Sequence, residues 1–162
     1  MTKKDIIDII VIVLIVVLIR TFLFTPAKVK GDSMNDTLLD KEVIIVNKID
    51  YTINEANRFD IVVFERENGE KLIKRVIGLP GEKVEYKDNT LYINDKEVKT
   101  PIEFEKTNDF LYEEVEDYAY FVLGDNRNNS IDSRAIGTIS KDNVIGTVKL
   151  VLFPFNKIGF VK

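Results

Sequence analysis

Residues 71–82 read Lys-Leu-Ile-Lys-Arg-Val-Ile-Gly-Leu-Pro-Gly-Glu, which is the pattern of a β-strand rich in branched apolar residues that ends in a tight turn. Pro80 and Gly81 suit the two central positions of a type II turn. Side chains alternate along a strand, so Lys74 and Arg75 lie on opposite faces, each between two apolar neighbours. The other apolar runs after residue 26 are also short and bounded by turns. We therefore predict a mainly β domain of antiparallel sheet.

A cation placed between apolar neighbours on a strand has two interpretations. In the first, the strand is half-exposed, and the basic side chains extend along its surface to water. In the second, Lys74 is held against apolar surface, which disfavours the ammonium form. Such burial lowers a lysine pKa from about 10.4 by several units and makes the amine a usable base.

The chain contains neither histidine nor cysteine. A Ser-His-Asp triad, a Cys-His pair and a zinc site of histidine or cysteine are therefore excluded within one copy of the chain. Nucleophilic catalysis would need a lysine, aspartate, glutamate or tyrosine base, and a serine paired with a lysine is an established arrangement. A net charge of -4 and the lack of a basic stripe disfavour nucleic acid as a partner. We predict neither a metal nor a cofactor.

Residues 6–24 are almost wholly apolar. As a helix they would measure about 28 Å, close to the bilayer hydrocarbon core of about 30 Å. A cleavable signal peptide is the competing interpretation, but the run ends without a small-x-small cleavage site. Lys3 and Lys4 favour a cytoplasmic N-terminus. We therefore predict a single-pass membrane anchor over residues 1–25 and one extracytoplasmic domain over residues 26–162.

The domain alternates strands with polar turns. The predicted strands cover residues 42–49, 60–65, 71–78, 83–87, 90–93, 96–98, 118–123 and 143–153, the last with a possible bulge at Gly146. The acidic residues 100–117 are predicted to form a solvated loop or arm, because their carboxylates lack the spacing of a calcium loop. Residues 124–134 have the composition of a surface loop, yet they bring together two serines, two aspartates and two arginines.

Four segments in this order resemble the boxes of type I signal peptidases. They are Gly31-Asp32-Ser33-Met34 with Thr37-Leu38, Asp60-Ile61-Val62-Val63-Phe64, Lys74-Arg75-Val76-Ile77-Gly78-Leu79-Pro80-Gly81 and Gly124-Asp125-Asn126-Arg127 with Ser130, Asp132, Ser133 and Arg134. The likeness covers nearly the whole chain, and the short length is similar to the Gram-positive form. It implies a barrel-like β-sheet in the catalytic domain and a membrane-bound serine endopeptidase that removes signal peptides from exported preproteins, with those peptides and the lipid bilayer as its partners.

The resemblance also implies roles for particular residues. Ser33 matches the nucleophile, Lys74 the general base, and the Ser33 backbone N–H a donor to the oxyanion. Ser130 and Asp132 match residues that position the lysine, and we expect the Ser130 hydroxyl to hydrogen-bond the amine of Lys74. Asp132 should not pair with Lys74, because a close carboxylate would stabilise the ammonium.

We expect Asp132 to be engaged instead by backbone N–H groups or by a cation such as Arg134 or Arg75. Together with Asp125, these residues complete the predicted positioning set.

Two positions depart from the family pattern: Asp36 stands where the family usually has proline, and Phe59 where it has glycine. The larger relatives also have a serine donor where this chain has Gly31. Three other functions remain open: an inactive anchored homologue that binds signal peptides, a self-cleaving Ser-Lys protease like the repressors of the DNA-damage response, and a non-catalytic β-domain of the cell envelope.

Overall fold

Strand β4 (Lys71–Gly78) lies within the larger of two antiparallel sheets, between β3 and β9. The structure is a computed structural model that describes residues 2–22 and 24–161, except for the side chains of residues 18–22. The type II turn that follows β4 is confirmed: Gly81 has a φ of 73°, and Glu82 N–H donates to Leu79 O over 3.2 Å.

The strands are β1 (Phe24–Lys28), β2 (Val43–Asn47), β3 (Ile61–Glu65), β4, β5 (Val84–Lys87), β6 (Thr90–Ile93), β7 (Lys96–Glu97), β8 (Phe110–Tyr112), β9 (Ala119–Leu123), β10 (Ile139–Ser140), β11 (Val144–Phe153) and β12 (Gly159–Phe160). The α-helices are α1 (Lys3–Phe22), α2 (Lys48–Asn54) and α3 (Ser133–Ile136). The larger sheet has the order β1-β2-β11-β3-β4-β9-β10, with β12 added to β11, and the smaller has the order β7-β6-β5-β8. The predicted antiparallel β domain is confirmed.

Strand β4 contributes side chains to each of three core clusters. Ile73 packs against the cluster beneath β1, β2 and β11, and Ile77 belongs to the cluster that joins the two sheets. On the other face, Leu72 and Val76 pack in a third cluster with residues of β3 and β9. The alternation read from the sequence therefore places β4 at the centre of the core.

The structure corrects two of the predicted boundaries in the domain. The strand predicted over residues 42–49 ends at Asn47, whose side chain accepts a hydrogen bond from Asp50 N–H and caps α2. The acidic residues 100–117 are not wholly solvated: they include β8, which pairs with β5, and Val115 is fully buried. The bulge at Gly146 is confirmed by a register shift between β11 and β3.

Helix α1 ends at Phe22, and Phe24 already belongs to β1 rather than to the predicted membrane span. Leu23 and the side chains of residues 18–22, which are also part of that predicted span, lie outside the described residues. Within the described part of the chain, no helix is both long enough and apolar enough to cross a membrane. The predicted span is therefore not confirmed.

Candidate active site

Ser33 lies in the turn that connects β1 to β2. Two features stabilise this turn. Met34 and Leu38 are buried in the core, and Asn35 N–H donates to Asp32 O over 3.0 Å. Val29 N–H also donates to Glu42 O over 2.8 Å, which joins the two ends of the loop. Ser33 is half-buried as a result, and its hydroxyl faces β4.

Lys74 meets Ser33 across a separation of 41 positions in the sequence, with 2.7 Å between Lys74 Nζ and Ser33 Oγ. The amine also donates to Ile73 O over 3.0 Å. Lys74 is 2% exposed and Arg75 is 1% exposed, so the half-exposed interpretation of this strand is wrong. The fold thus brings the two residues that the resemblance singled out within hydrogen-bond distance of each other.

Burial changes the acid-base chemistry of Lys74. Desolvation of the ammonium lowers the pKa of Lys74 from 10.5 to about 8, although Asp132, Asp125 and Glu70 act in the opposite direction. At pH 7 roughly a tenth of the molecules then carry a neutral amine. The ammonium form donates to Ser33 Oγ, whereas the neutral form can accept the proton of the Ser33 hydroxyl.

Asp132 is fully buried but does not pair with Lys74, as expected. Its Oδ2 accepts hydrogen bonds from Gly124 N–H over 3.0 Å and from Arg134 Nη2 over 2.8 Å, and its Oδ1 accepts one from Arg134 Nε over 2.8 Å. Burial raises the pKa of the Asp132 carboxyl, but the hydrogen bonds from Arg134 and Gly124 outweigh burial and hold that pKa below its usual value.

Arg75 pairs with Asp125 rather than with Asp132. Arg75 Nε and Nη2 donate to the two carboxylate oxygens over 2.8 and 2.6 Å, and both side chains are at most 2% exposed. The same guanidinium donates to Phe59 O over 2.9 Å and to Thr37 Oγ1 over 3.2 Å. One buried cation thus connects β4 to the Ser33 loop, to the Phe59 turn and to the loop that follows β9.

Ser130 does not make the predicted hydrogen bond to Lys74. Its Oγ is buried and makes no well-aligned hydrogen bond within the described part of the chain, although the hydroxyl lies near enough to Asp132 to lower the pKa of that carboxyl. The hydroxyl lies over Gly124 instead: a Cβ on Gly124 would come within 2.2 Å of Ser130 Oγ and 2.5 Å of Ser33 O. Glycine is therefore required at position 124, because any side chain would push apart the two loops that form the site.

The Ser33 backbone N–H donates no hydrogen bond to any of residues 2–22 and 24–161, so it is available to an external acceptor. Gly31 supplies no side-chain donor and has a φ of 82°. Phe59 has a φ of 72°, which explains why glycine suits that position, and Asp36 has a φ of 78°, which proline cannot adopt. The backbone after Ser33 therefore differs from one that carries proline at position 36.

A cleft of about 560 Å³ opens beside Ser33 and Lys74. It is lined by residues 27–31, 33, 34, 63 and 69–74. Strand β9 pairs with β4 only from Arg75 onward, so Lys71–Lys74 have no strand on that side within the described residues. The cleft therefore borders an open strand edge. In the same part of the chain, no group of three or more acidic side chains is arranged to hold a metal ion.

Sequence reasoning missed two residues of the site, Thr37 and Asn126. Thr37 Oγ1 accepts from Arg75, and Asn126 binds the carbonyl oxygens of Asp32 and Ser33. Both stand in segments that had been singled out by their resemblance. Neither residue type is distinctive in a turn, where threonine and asparagine commonly bond nearby backbone.

Comparison with known proteins places this arrangement among peptidases. The family model described as "Signal peptidase, peptidase S26" matches residues 3–153. Signal peptidase I of Bacillus amyloliquefaciens is 46% identical over 95% of this chain and 89% of its own. Signal peptidase I T of Bacillus subtilis (strain 168) is 47% identical over 95% and 86%. The crystal structure of a signal peptidase I from Enterococcus faecalis V583 is similar with a TM-score of 0.51 and 38% identity, over 57% of this chain and 95% of that one.

The Arg75–Asp125 pair yields a prediction about stability. Asp125→Leu leaves a buried guanidinium without its carboxylate, and we expect the free energy of unfolding to fall by about 3–5 kcal/mol. The double variant Arg75→Met/Asp125→Leu should lose less free energy of unfolding than Asp125→Leu alone, because no uncompensated charge remains. Urea unfolding of the full chain in detergent measures both. Asp95→Asn, at an exposed ion pair, is the control and should change little. Equal losses in the single and double variants would contradict this account.

The buried lysine yields a prediction about pH. Between pH 8 and 10.5, the unfolded chain binds a proton at position 74 that the folded chain does not, so stability should rise with pH in this window. Lys74→Met removes the cost of burying an ammonium group. Below pH 8 its free energy of unfolding should therefore exceed that of the native chain by up to roughly 3 kcal/mol. The gain should shrink as the pH approaches 10.5. Lys71→Met, at an exposed position on the same strand, should show no such trend. A difference for Lys74→Met that did not depend on pH would show that its amine is not desolvated.

Proposed function

The chain belongs to the signal peptidase family, peptidase S26, a family of serine endopeptidases, and we propose that it removes signal peptides from exported preproteins with Ser33 as the nucleophile and Lys74 as the general base. One observation carries the assignment of these two residues: Lys74 Nζ, buried and with a pKa of about 8, lies 2.7 Å from Ser33 Oγ. A nucleophile and a base within hydrogen-bond distance are the minimum that acyl transfer needs.

The reaction begins with neutral Lys74. As Ser33 Oγ attacks the scissile carbonyl, its proton passes to Lys74 Nζ, and the carbonyl oxygen becomes an oxyanion that accepts from the Ser33 N–H. The ammonium of Lys74 then protonates the leaving amine, and the acyl group stays on Ser33. In the second half, Lys74 takes a proton from water, the resulting hydroxide attacks the acyl carbon, and Ser33 is released with its proton restored.

The cleft supports an extended substrate. A peptide that lies along the open edge of Lys71–Lys74 can continue the sheet through backbone hydrogen bonds, and that edge leads directly to Lys74. Leu72 and Ile73 also line the cleft and provide apolar surface beside the scissile bond.

We also propose that α1 anchors the enzyme in the membrane, with the N-terminus cytoplasmic and the domain outside. All nine side chains from Ile9 to Val17 are apolar, and each is about half exposed to solvent. Burial of this surface in lipid would remove it from water, and Lys3 and Lys4 favour retention of the N-terminus on the cytoplasmic side. An anchor at this position holds the domain beside substrates that are themselves in the membrane.

The test of the chemistry is cleavage of a preprotein by the full chain in detergent, with the new N-terminus of the product sequenced. Ser33→Ala and Lys74→Met should each lower kcat/KM by at least about a thousandfold. Ser140→Ala and Lys87→Met are matched controls, because neither residue lines the cleft, and both should stay near the native rate. Native kcat/KM should fall about tenfold per pH unit below pH 8, because the ammonium form cannot accept a proton.

Cleavage that survives Lys74→Met would refute the assignment of the base. Binding of the signal peptide without any cleavage by the native chain would favour an inactive homologue that binds signal peptides.

The test of the anchor is a truncation. Removal of residues 1–22 leaves β1 intact, whereas removal of residues 1–25 would cut into it. The truncated chain should cleave short peptides at near the native rate but act poorly on preproteins inserted in vesicles, because the helix supplies co-localisation rather than chemistry. An unrelated membrane span fused at residue 23 should restore activity on vesicles. If the truncated chain processed inserted preproteins as well as the full chain, α1 would not be the anchor.

A further inference from the structure

The peptide unit between Asp32 and Ser33 carries the N–H group to which the proposed function assigns the oxyanion. This unit lies in a turn outside any strand or helix, so no ladder of hydrogen bonds orients it. A trans peptide is planar, and its C=O and N–H point in opposite directions. Whatever fixes the direction of Asp32 C=O therefore also fixes the direction of Ser33 N–H.

Asn126 is the side chain that binds this carbonyl. Its Nδ2 donates to Asp32 O over 3.1 Å, and its backbone N–H donates to Ser33 O over 3.1 Å. The two bonds hold the peptide units on both sides of the Ser33 Cα. Asp32 O also accepts from Asn35 N–H, which belongs to the same turn, whereas Asn126 reaches it from the loop after β9.

The loop around Asn126 is itself well anchored. Asn129 N–H donates to Asn126 Oδ1 over 3.1 Å, which leaves the Nδ2 end of the amide to face Asp32. Gly124 N–H is bound by Asp132, and Gly124 O accepts from Arg127 Nε over 3.1 Å. The buried Arg127 guanidinium lies over the Phe104 ring, 4.1 Å from its centroid. Asn126 is thus held from both sides.

We infer that Asn126 is a positioning residue, which orients the Ser33 N–H toward the oxyanion by holding Asp32 C=O; this inference rests on the proposed function. A peptide unit is also polarised when its carbonyl oxygen accepts a hydrogen bond, and its N–H then becomes a stronger donor. Oxyanion donors act only where they lie about 2.7–3.1 Å from the developing charge, so a modest rotation of this peptide removes the effect. Among the described residues, Asn126 makes no hydrogen bond to Lys74 or to Ser33 Oγ.

The experiment measures kcat, KM and inhibition by a substrate-derived peptide aldehyde on the full chain in detergent. With the aldehyde, a bond forms between Ser33 Oγ and the carbonyl carbon, the carbonyl π pair moves onto oxygen, and the hydroxyl proton passes to Lys74. This adduct mimics the tetrahedral intermediate. Asn126→Ala should lower kcat by about ten- to a hundredfold, less than the loss of a whole oxyanion donor. KM should stay within about twofold, and the inhibition constant of the aldehyde should rise by the same factor as kcat falls.

Two further variants isolate the hydrogen bond. Asn126→Asp keeps the acceptor for Asn129 N–H and the size of the side chain but replaces the donor with an oxygen, and it should lose at least as much kcat as Asn126→Ala. Asn128→Ala is the matched control, because Asn128 Nδ2 binds Glu105 rather than the Ser33 turn. The acid limb of kcat/KM should keep its midpoint near pH 8 in Asn126→Ala and Asn128→Ala, because the contacts of Lys74 are unchanged and no charge is added.

A kcat within twofold of native in Asn126→Asp would overturn the inference. It would also be overturned if the acid limb shifted in Asn126→Ala, since the residue would then act through Lys74, or if kcat fell while aldehyde affinity stayed native. These outcomes are distinct from failure of the proposed function, in which the native chain itself would not cleave, or Ser33→Ala would cleave as well as native.

Discussion

Burial of the Lys74 amine against Ser33 is the constraint on which the rest of the site depends. Its pKa is lowered because desolvation of the ammonium form outweighs the attraction of nearby carboxylates. Two aspartates lie close enough to influence its pKa, yet each is bound by another cation: Asp132 by Arg134, and Asp125 by Arg75. The arginines thus balance the charge of the carboxylates, while Lys74 remains unpaired beside the serine.

The loop over residues 124–134 connects this electrostatic arrangement to the geometry of Ser33. Asp125 and Asp132 fix its two ends through arginine pairs, and Gly124 allows it to approach Ser33 O closely. Asn126 then binds the turn that carries Ser33. A segment with the composition of a plain surface loop is therefore held by buried ion pairs, and its rigidity follows from the cost of breaking any of them.

Much of the fold and of the site was predictable from local pattern. Alternating apolar residues predicted the principal strands, and Pro80-Gly81 predicted the turn after β4. Helix α2 was missed, because the strand predicted over residues 42–49 extends into its first residues and only the cap at Asn47 separates β2 from the helix. The burial of Val115 was missed because one apolar residue among carboxylates carries no periodic signal, and its environment comes from β5 and β9, distant in sequence.

The sequence by itself determined which groups were candidates to react: without histidine or cysteine, the base had to be a lysine, aspartate, glutamate or tyrosine, and the resemblance of the ordered boxes pointed to Ser33 and Lys74. Tertiary structure decided which partner each polar group would take. Arg75 could have bound either Asp125 or Asp132, and Ser130 could have bound Lys74, since all of these residue types can form such bonds. The choice depends on how loops that are separated by dozens of residues in sequence are placed relative to one another. That placement is set by the packing of β4, β9 and the Ser33 turn around one core.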